Sequence, residues 1–259
     1  PYKNAGDVRN GNYEDSPYYM SLNGKWKFHW VKNPDNRPKD FYKPSFYDGS
    51  WAEINVPGNW ERQGYGTAIY VNETYEFDDK MFHFKKNGHL LGYNQGSKTP
   101  AEWDITDKLQ EGENTVALEV YRWSAGSYLE CQDMWRLSGI ERDVYLYSTP
   151  KQYIADYKVI SSLDKKEYKE GIFGLEATVE GPSASASSLS YRLEDAAGRT
   201  VLRGEQPIKS RGLSNFIAFE EQRIPEVKPW SAEHPNLYTL VLELKNPDGE
   251  VSELTGCMV

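Results

Sequence analysis

Apolar residues recur along this chain in short runs of Val, Ile, Tyr, Phe and Trp, broken every few positions by Gly, Pro, Asn or Asp. Helical spacing is almost absent. The dominant period is two, which sets alternate side chains on opposite faces of a strand. In the run 114–120, for example, Val116, Leu118 and Val120 share one face. The pattern predicts strands over 24–30, 114–121, 142–147, 152–160, 171–180, 187–193, 216–224 and 237–245. Asn87-Gly88 between two apolar runs predicts a tight hairpin. Asn246-Pro247-Asp248-Gly249 predicts a reversal, and the low-complexity stretch 183–188 a loop between strands. The fold class expected is therefore all-β.

A boundary fits at Ser148-Thr149-Pro150, giving domains 1–149 and 150–259. Six of the eight tryptophans fall between Trp26 and Trp123, among long Gly-rich loops, whereas beyond the boundary strands come at short regular spacing with one Trp, Trp230. The second domain has the size of an immunoglobulin-like sandwich but lacks the Cys…Trp…Cys pattern of antibody domains, so only the architecture is implied.

Composition narrows the function classes. The 259 residues are 38% hydrophobic and 27% charged, a balance that supports a core and excludes a disordered polymer. No apolar run is long enough to span a membrane. The formal net charge of -9 repels phosphate backbones, which excludes nucleic acid as the expected partner. Cys131 and Cys257 cannot make a disulfide scaffold and are read as free thiols. The first residues, Pro1-Tyr2-Lys3-Asn4, carry no basic-then-apolar leader. Any signal peptide is expected outside this chain, and the compartment, cytoplasm or periplasm, stays open. Aromatic residues make 14% of the chain. They suit the half-buried face of a sheet, which composition favours, ahead of a surface that stacks flat rings on sugars.

Catalytic signatures are sparse. The histidines His29, His83, His89 and His234 stand alone, without zinc-ligand spacing. Gly64-Tyr65-Gly66 starts like a dinucleotide fingerprint but lacks the third Gly and a following helix, so it reads as a loop. Glycoside hydrolysis needs two carboxylates across a sugar, roughly 5 Å apart for retention. Glu61, Glu130 and Asp133 lie in aromatic, Gly-rich company, yet the residues by themselves favour an ordinary surface or loop carboxylate for each. The stretch 121–140 combines Arg122, Trp123, Tyr128, Glu130, Asp133, Trp135 and Arg136 in one long loop between strands. Such a loop either binds a ligand or folds upon its own side chains.

That loop resembles the corresponding loop of β-galactosidases of glycoside hydrolase family 2. Leu22-Asn23-Gly24-Lys25-Trp26-Lys27-Phe28 is similar to the family's opening strand. Val56-Pro57-Gly58-Asn59-Trp60-Glu61 and Ile69-Tyr70-Val71-Asn72-Glu73-Thr74-Tyr75 are similar to the loops that follow. Leu91–Ser97, Glu102–Thr106 and Pro229–Tyr238 continue the likeness, which extends from Leu22 to Tyr238. The resemblance implies a galactose-binding-like jelly roll, an immunoglobulin-like sandwich and then a (β/α)8 barrel bearing the acid/base and nucleophile glutamates. Val259 would fall at the entry to that barrel, so this chain is expected to be non-catalytic by itself.

By the same resemblance Asn72 reaches into the galactose subsite, and Asp133 touches sugar hydroxyls and helps ligate a monovalent cation. For the parent enzyme it implies Mg2+, Na+ or K+, a β-galactoside as the partner, and homo-oligomerisation. Two features depart from the family. Cys131 stands where an acidic residue is expected, and several strands are missing between Tyr75 and Asn87, near residues 85–88. A free-standing carbohydrate-binding module is the rival reading, and an adhesive spacer a third. Galactose affinity in isolation separates the first two.

Overall fold

The computed structural model describes residues 1–71, 83–86, 88–96, 99–124, 133–182, 187–209 and 212–259, with backbone only for Val71, His83–Lys86 and Ser187. It is all-β, and two compact units emerge, Pro1–Ser21 with Tyr145–Val259, and Leu22–Val144. The expected division at 149/150 thus meets a different observed one: the first 21 residues pack with the second sandwich.

That sandwich has seven strands, β12 (Tyr153–Leu163), β13 (Gly171–Glu180), β14 (Ser187–Glu194), β15 (Thr200–Ile208), β16 (Ser214–Ile224), β17 (Thr239–Lys245) and β18 (Val251–Met258). They form an antiparallel sheet in the order β12-β13-β16 and another in the order β15-β14-β17-β18. The immunoglobulin-like architecture follows from the period of two. Phe173, Leu175, Ala177 and Val179 point inward from one sheet, and Leu189, Tyr191, Leu193, Leu240, Leu242 and Leu244 from the other. Gly249, at φ +83, closes the β17–β18 reversal, with its N–H donated to Asn246 O at 2.9 Å. Val241 faces away from this core and is also fully buried. Its register partner is Gly256, against which Val8 of helix α1 (Ala5–Asn10) packs. Arg9 Nη2 meets Glu194 Oε2 at 2.6 Å, a second tie between α1 and the sandwich. β1 (Tyr19–Ser21) pairs with β11 (Tyr145–Tyr147), so the chain leaves this unit and re-enters it on adjacent strands.

The unit Leu22–Val144 is built from shorter pieces: β2 (Gly24–Phe28) with β3 (Ala52–Val56), β4 (Gly58–Asn59) with β10 (Gly139–Ile140), and β5 (Ile69–Val71) with β9 (Met134–Arg136). A three-stranded sheet has the order β7-β6-β8, from β6 (His83–Lys86), β7 (His89–Gly92) and β8 (Val116–Glu119). The β6–β7 pairing bears out the hairpin, and Gly88 takes the left-handed φ of +83 that such a turn requires. Among the described residues of this unit, the buried hydrophobic side chains are Ile54, Val56 and Trp60. Trp60 lies 6.0 Å from Phe28, which meets Tyr65 edge-on.

Candidate functional site

The first site residue expected from the sequence, Asn72, follows directly on β5 and lies outside the described residues, as do Glu130 and Cys131. Asp133 is described. It precedes β9 with φ +47, a left-handed conformation uncommon for a residue with a side chain. Its exposed carboxylate accepts, through Oδ1, a short hydrogen bond from the Tyr70 hydroxyl of β5. That bond, with some burial, raises the Tyr70 phenol above its ordinary value, because ionising it would set a second anion beside the carboxylate.

The β5–β9 register places Tyr70 opposite Trp135, and the two exposed rings meet edge-to-face with centroids 5.7 Å apart. Side chains opposite one another in an antiparallel pair share a face. The ribbon therefore offers two flat rings and a carboxylate on neighbouring positions. Such a surface can stack on the C–H face of a sugar while accepting its hydroxyl hydrogens. Sequence reasoning missed Tyr70 as a site residue. The available signal was its place in the run from Ile69 to Asn72, two residues before a suspected ligand.

Glu61 takes the structural role that its sequence setting favours. It opens the 3-10 turn Glu61–Gln63, and its side chain is 1% exposed. Oε2 accepts the Ser138 N–H at 2.9 Å, while Oε1 lies 3.9 Å from Arg122 Nη1. A carboxylate so enclosed cannot face Asp133 across a sugar, so these two do not form a hydrolytic pair. Arg122 Nη2 donates to Thr67 O at 2.7 Å and Arg136 O at 3.2 Å, and its guanidinium lies 5.0 Å from the Trp123 ring centroid. Arg136 is buried, whereas Met134 and Trp135 are exposed. Within 121–140, then, the described ends divide into outward aromatics and inward arginines.

Among the described residues no group of three or more His, Cys, Asp or Glu converges. Asp133 presents one hard-oxygen carboxylate of the several oxygens that Mg2+, Na+ or K+ takes, and its Oδ1 accepts from Tyr70. Cys257 is a free thiol, raised by burial and placed beside Tyr157 in the second sandwich.

Family comparison decides what these elements belong to. The sugar binding domain of glycosyl hydrolases family 2 matches residues 19–78 and 76–150, and a second model of the same family matches 152–256. The chain belongs to glycosyl hydrolase family 2. Its first domain is the family's jelly-roll sugar-binding domain and its second the family's immunoglobulin-like sandwich.

The chain is 38% identical to a β-galactosidase of Priestia megaterium over 313 aligned residues, all of this chain and 29% of that protein. With a β-galactosidase of Streptococcus thermophilus the identity is 37%, over 88% of the chain and 26% of the relative. The chain thus spans under a third of the length of the curated relatives it matches. Among solved structures, a Bacteroides uniformis β-glucuronidase superposes with a TM-score of 0.76 at 17% identity, over 93% of this chain and 32% of that one. A family 2 glycosyl hydrolase from Bacteroides cellulosilyticus gives 0.71 at 18%, covering 93% and 36%. These superpositions establish the fold.

No helix among the described residues is long and apolar enough to cross a membrane.

Proposed function

We propose that this family 2 chain is the N-terminal, non-catalytic part of a retaining exo-β-galactosidase that releases terminal β-D-galactose. It supplies scaffold and substrate-positioning groups to an active site whose two catalytic glutamates lie on another part of the protein. The observation that carries the reading is the Tyr70–Asp133–Trp135 surface: an oriented carboxylate beside flat rings, next in sequence to Asn72. Asp133 accepts from sugar hydroxyls, and Asn72 donates to one hydroxyl and accepts from another. Holding the ring in place accelerates cleavage only where the reacting groups are also present. Asp133 adds one oxygen toward a bound Na+ or K+, and Mg2+ binding and homo-oligomeric assembly belong to the same proposal for the parent enzyme.

Two measurements test this. The 259-residue chain alone should release no galactose from a chromogenic galactoside, and turnover by it, with host enzyme excluded, overturns the non-catalytic assignment. In the protein that carries the barrel, Asp133→Ala should lower turnover by about a hundredfold or more with an unchanged melting temperature. Unchanged turnover would remove Asp133 from the site. The rival, a free-standing carbohydrate-binding module, is favoured by the exposure of Tyr70 and Trp135. Galactose binding by the isolated chain at micromolar to low millimolar concentrations would select it.

A further inference from the structure

We infer that Glu61 and Arg122 act as a register pin for the β5–β9 ribbon, and thereby as positioning residues for Asp133. The inference rests on the proposed function only for the use to which Asp133 is put. Among the described residues the ribbon has three residue pairs, Ile69 with Arg136, Tyr70 with Trp135, and Val71 with Met134, and no third strand flanks it. An isolated two-stranded ribbon is marginal in water. A slip of one residue exchanges its two faces. Here such a slip would turn Trp135 inward and carry buried Arg136 outward.

Contacts outside the described ladder can therefore help to fix the register. Ser138, two residues beyond β9, is gripped through both backbone groups: its N–H by Glu61 Oε2 at 2.9 Å, its carbonyl by the Trp60 N–H at 3.0 Å. Trp60 is itself part of the unit's small core. Arg122 clasps the same end of the ribbon from both strands, since Nη2 reaches Thr67 O before β5 and Arg136 O within β9. Glu61 joins the two clasps. Among the described residues its buried Oε1 accepts no hydrogen bond, and Arg122 Nη1 stands 3.9 Å away. A desolvated carboxylate is stabilised there by the facing guanidinium, and breaking such a pair costs more than a surface ion pair would. With the C-terminal end of β9 held at residues 136 and 138, Asp133 at its other end can stay within reach of the Tyr70 hydroxyl in its left-handed conformation.

The test uses the 259-residue chain and requires neither sugar nor turnover. Glu61→Gln keeps an acceptor for Ser138 but loses the charge that faces Arg122. It should speed deuterium uptake in 133–138 about tenfold while strands Tyr153–Met258 are unaffected. In chain labelled with 5-fluorotryptophan, the Trp135 resonance, assigned by its loss in Trp135→Phe, should shift or split. Arg122→Met should do the same, and the double variant should be no worse than the more severe single one. If Glu61→Gln does not fold, Arg122→Lys, which keeps the charge and loses the fork, must show the local effect. Unchanged uptake and an unmoved Trp135 signal overturn the pin, as does uptake that rises uniformly over Leu22–Val144. Failure of the pin leaves the galactoside reading standing, whereas failure of Asp133→Ala to affect turnover leaves the pin standing.

Discussion

The two units of this chain hold together in different ways. In the second sandwich, strands of seven to eleven residues bring a continuous layer of Leu, Val, Phe and Tyr together from two sheets. Among the described residues, the unit Leu22–Val144 has strands of two to five residues and buries Ile54, Val56 and Trp60. Directional polar contacts carry more of the load there: Gln63 bridges both backbone groups of Asn55, Asn59 donates to Glu141 at 2.7 Å, and Glu61 holds Ser138. A sandwich can rest on non-directional burial, which tolerates small shifts. A surface that must aim a carboxylate needs contacts that specify geometry, and each contributes only about 0.5–1.5 kcal/mol net. The site therefore sits in the unit that, among the described residues, has the smaller buried apolar core. The comparisons bear on this thinness. The sugar-binding model matches in two pieces that meet at 76–78, and the P. megaterium alignment runs over 313 residues against 259 here, so that relative has residues this chain lacks.

Substitutions can break or sharpen the contrast. Leu242→Ala, in the fully buried centre of β17, should cost the sandwich about 2–5 kcal/mol in a urea or thermal melt, since the gap left there cannot collapse. A loss below about 1 kcal/mol would mean the layer is looser than described. Next comes Gly139→Ala in the thin unit. Its φ is +145, and an added Cβ would fall 2.2 Å from Gly58 O, so β4 and β10 must part. The expected loss is about 1–3 kcal/mol, with hydrogen exchange raised around 58–61 and 138–140. Val8→Ala, of similar or smaller effect at about 2 kcal/mol, should loosen α1 from β18 without touching Leu22–Val144.

The smallest effect is a pH dependence. Burial pushes the Glu253 carboxyl above its ordinary value, against the lowering pull of the Ile154 N–H, which it accepts at 2.7 Å. A folded value above the unfolded one means that this group's stabilising contribution is complete below the unfolded carboxylate value. It is then lost as pH rises through the folded value. Glu253→Gln should accordingly melt higher than the parent chain near neutral pH, with the gap closing toward pH 4. A gap that widens on acidification would reverse the sign argued here.

Much of the second sandwich was legible beforehand, because alternation over eight or more residues leaves few other solutions. The strands expected over 171–180, 187–193 and 216–224 appear at nearly those bounds. β15 and β18 escaped notice. β15 runs Thr-Val-Leu-Arg-Gly-Glu-Gln-Pro-Ile, with polar residues and a proline suited to an edge, and β18 carries Glu253 and Gly256 at buried places. Helix α1 was also missed, although Asn4 caps its start by accepting from the N–H groups of Gly6 and Asp7, and Gly11 ends it at φ +65. Six residues are too few for a helical period to register.

At the site, the loop 121–140 and Asp133 stood out by composition, but Tyr70 did not, since 63 residues separate it from its acceptor.

Alternation and turn residues along the chain were enough to determine an all-β protein with an immunoglobulin-like second half, since both act between near neighbours. The family motifs pointed to the segment that carries Asp133. Which carboxylate faces solvent and which is buried was decided only by tertiary structure. Glu61 and Asp133 are alike in composition and company, and the long-range contacts to Ser138, Arg122 and Tyr70 separate them. The docking of residues 1–21 onto the second sandwich was likewise a tertiary decision, made by Val8 against Gly256 and Arg9 against Glu194 across more than 180 positions. Contacts over such separations leave no periodic mark in sequence, because each is specified by a single pair of side chains.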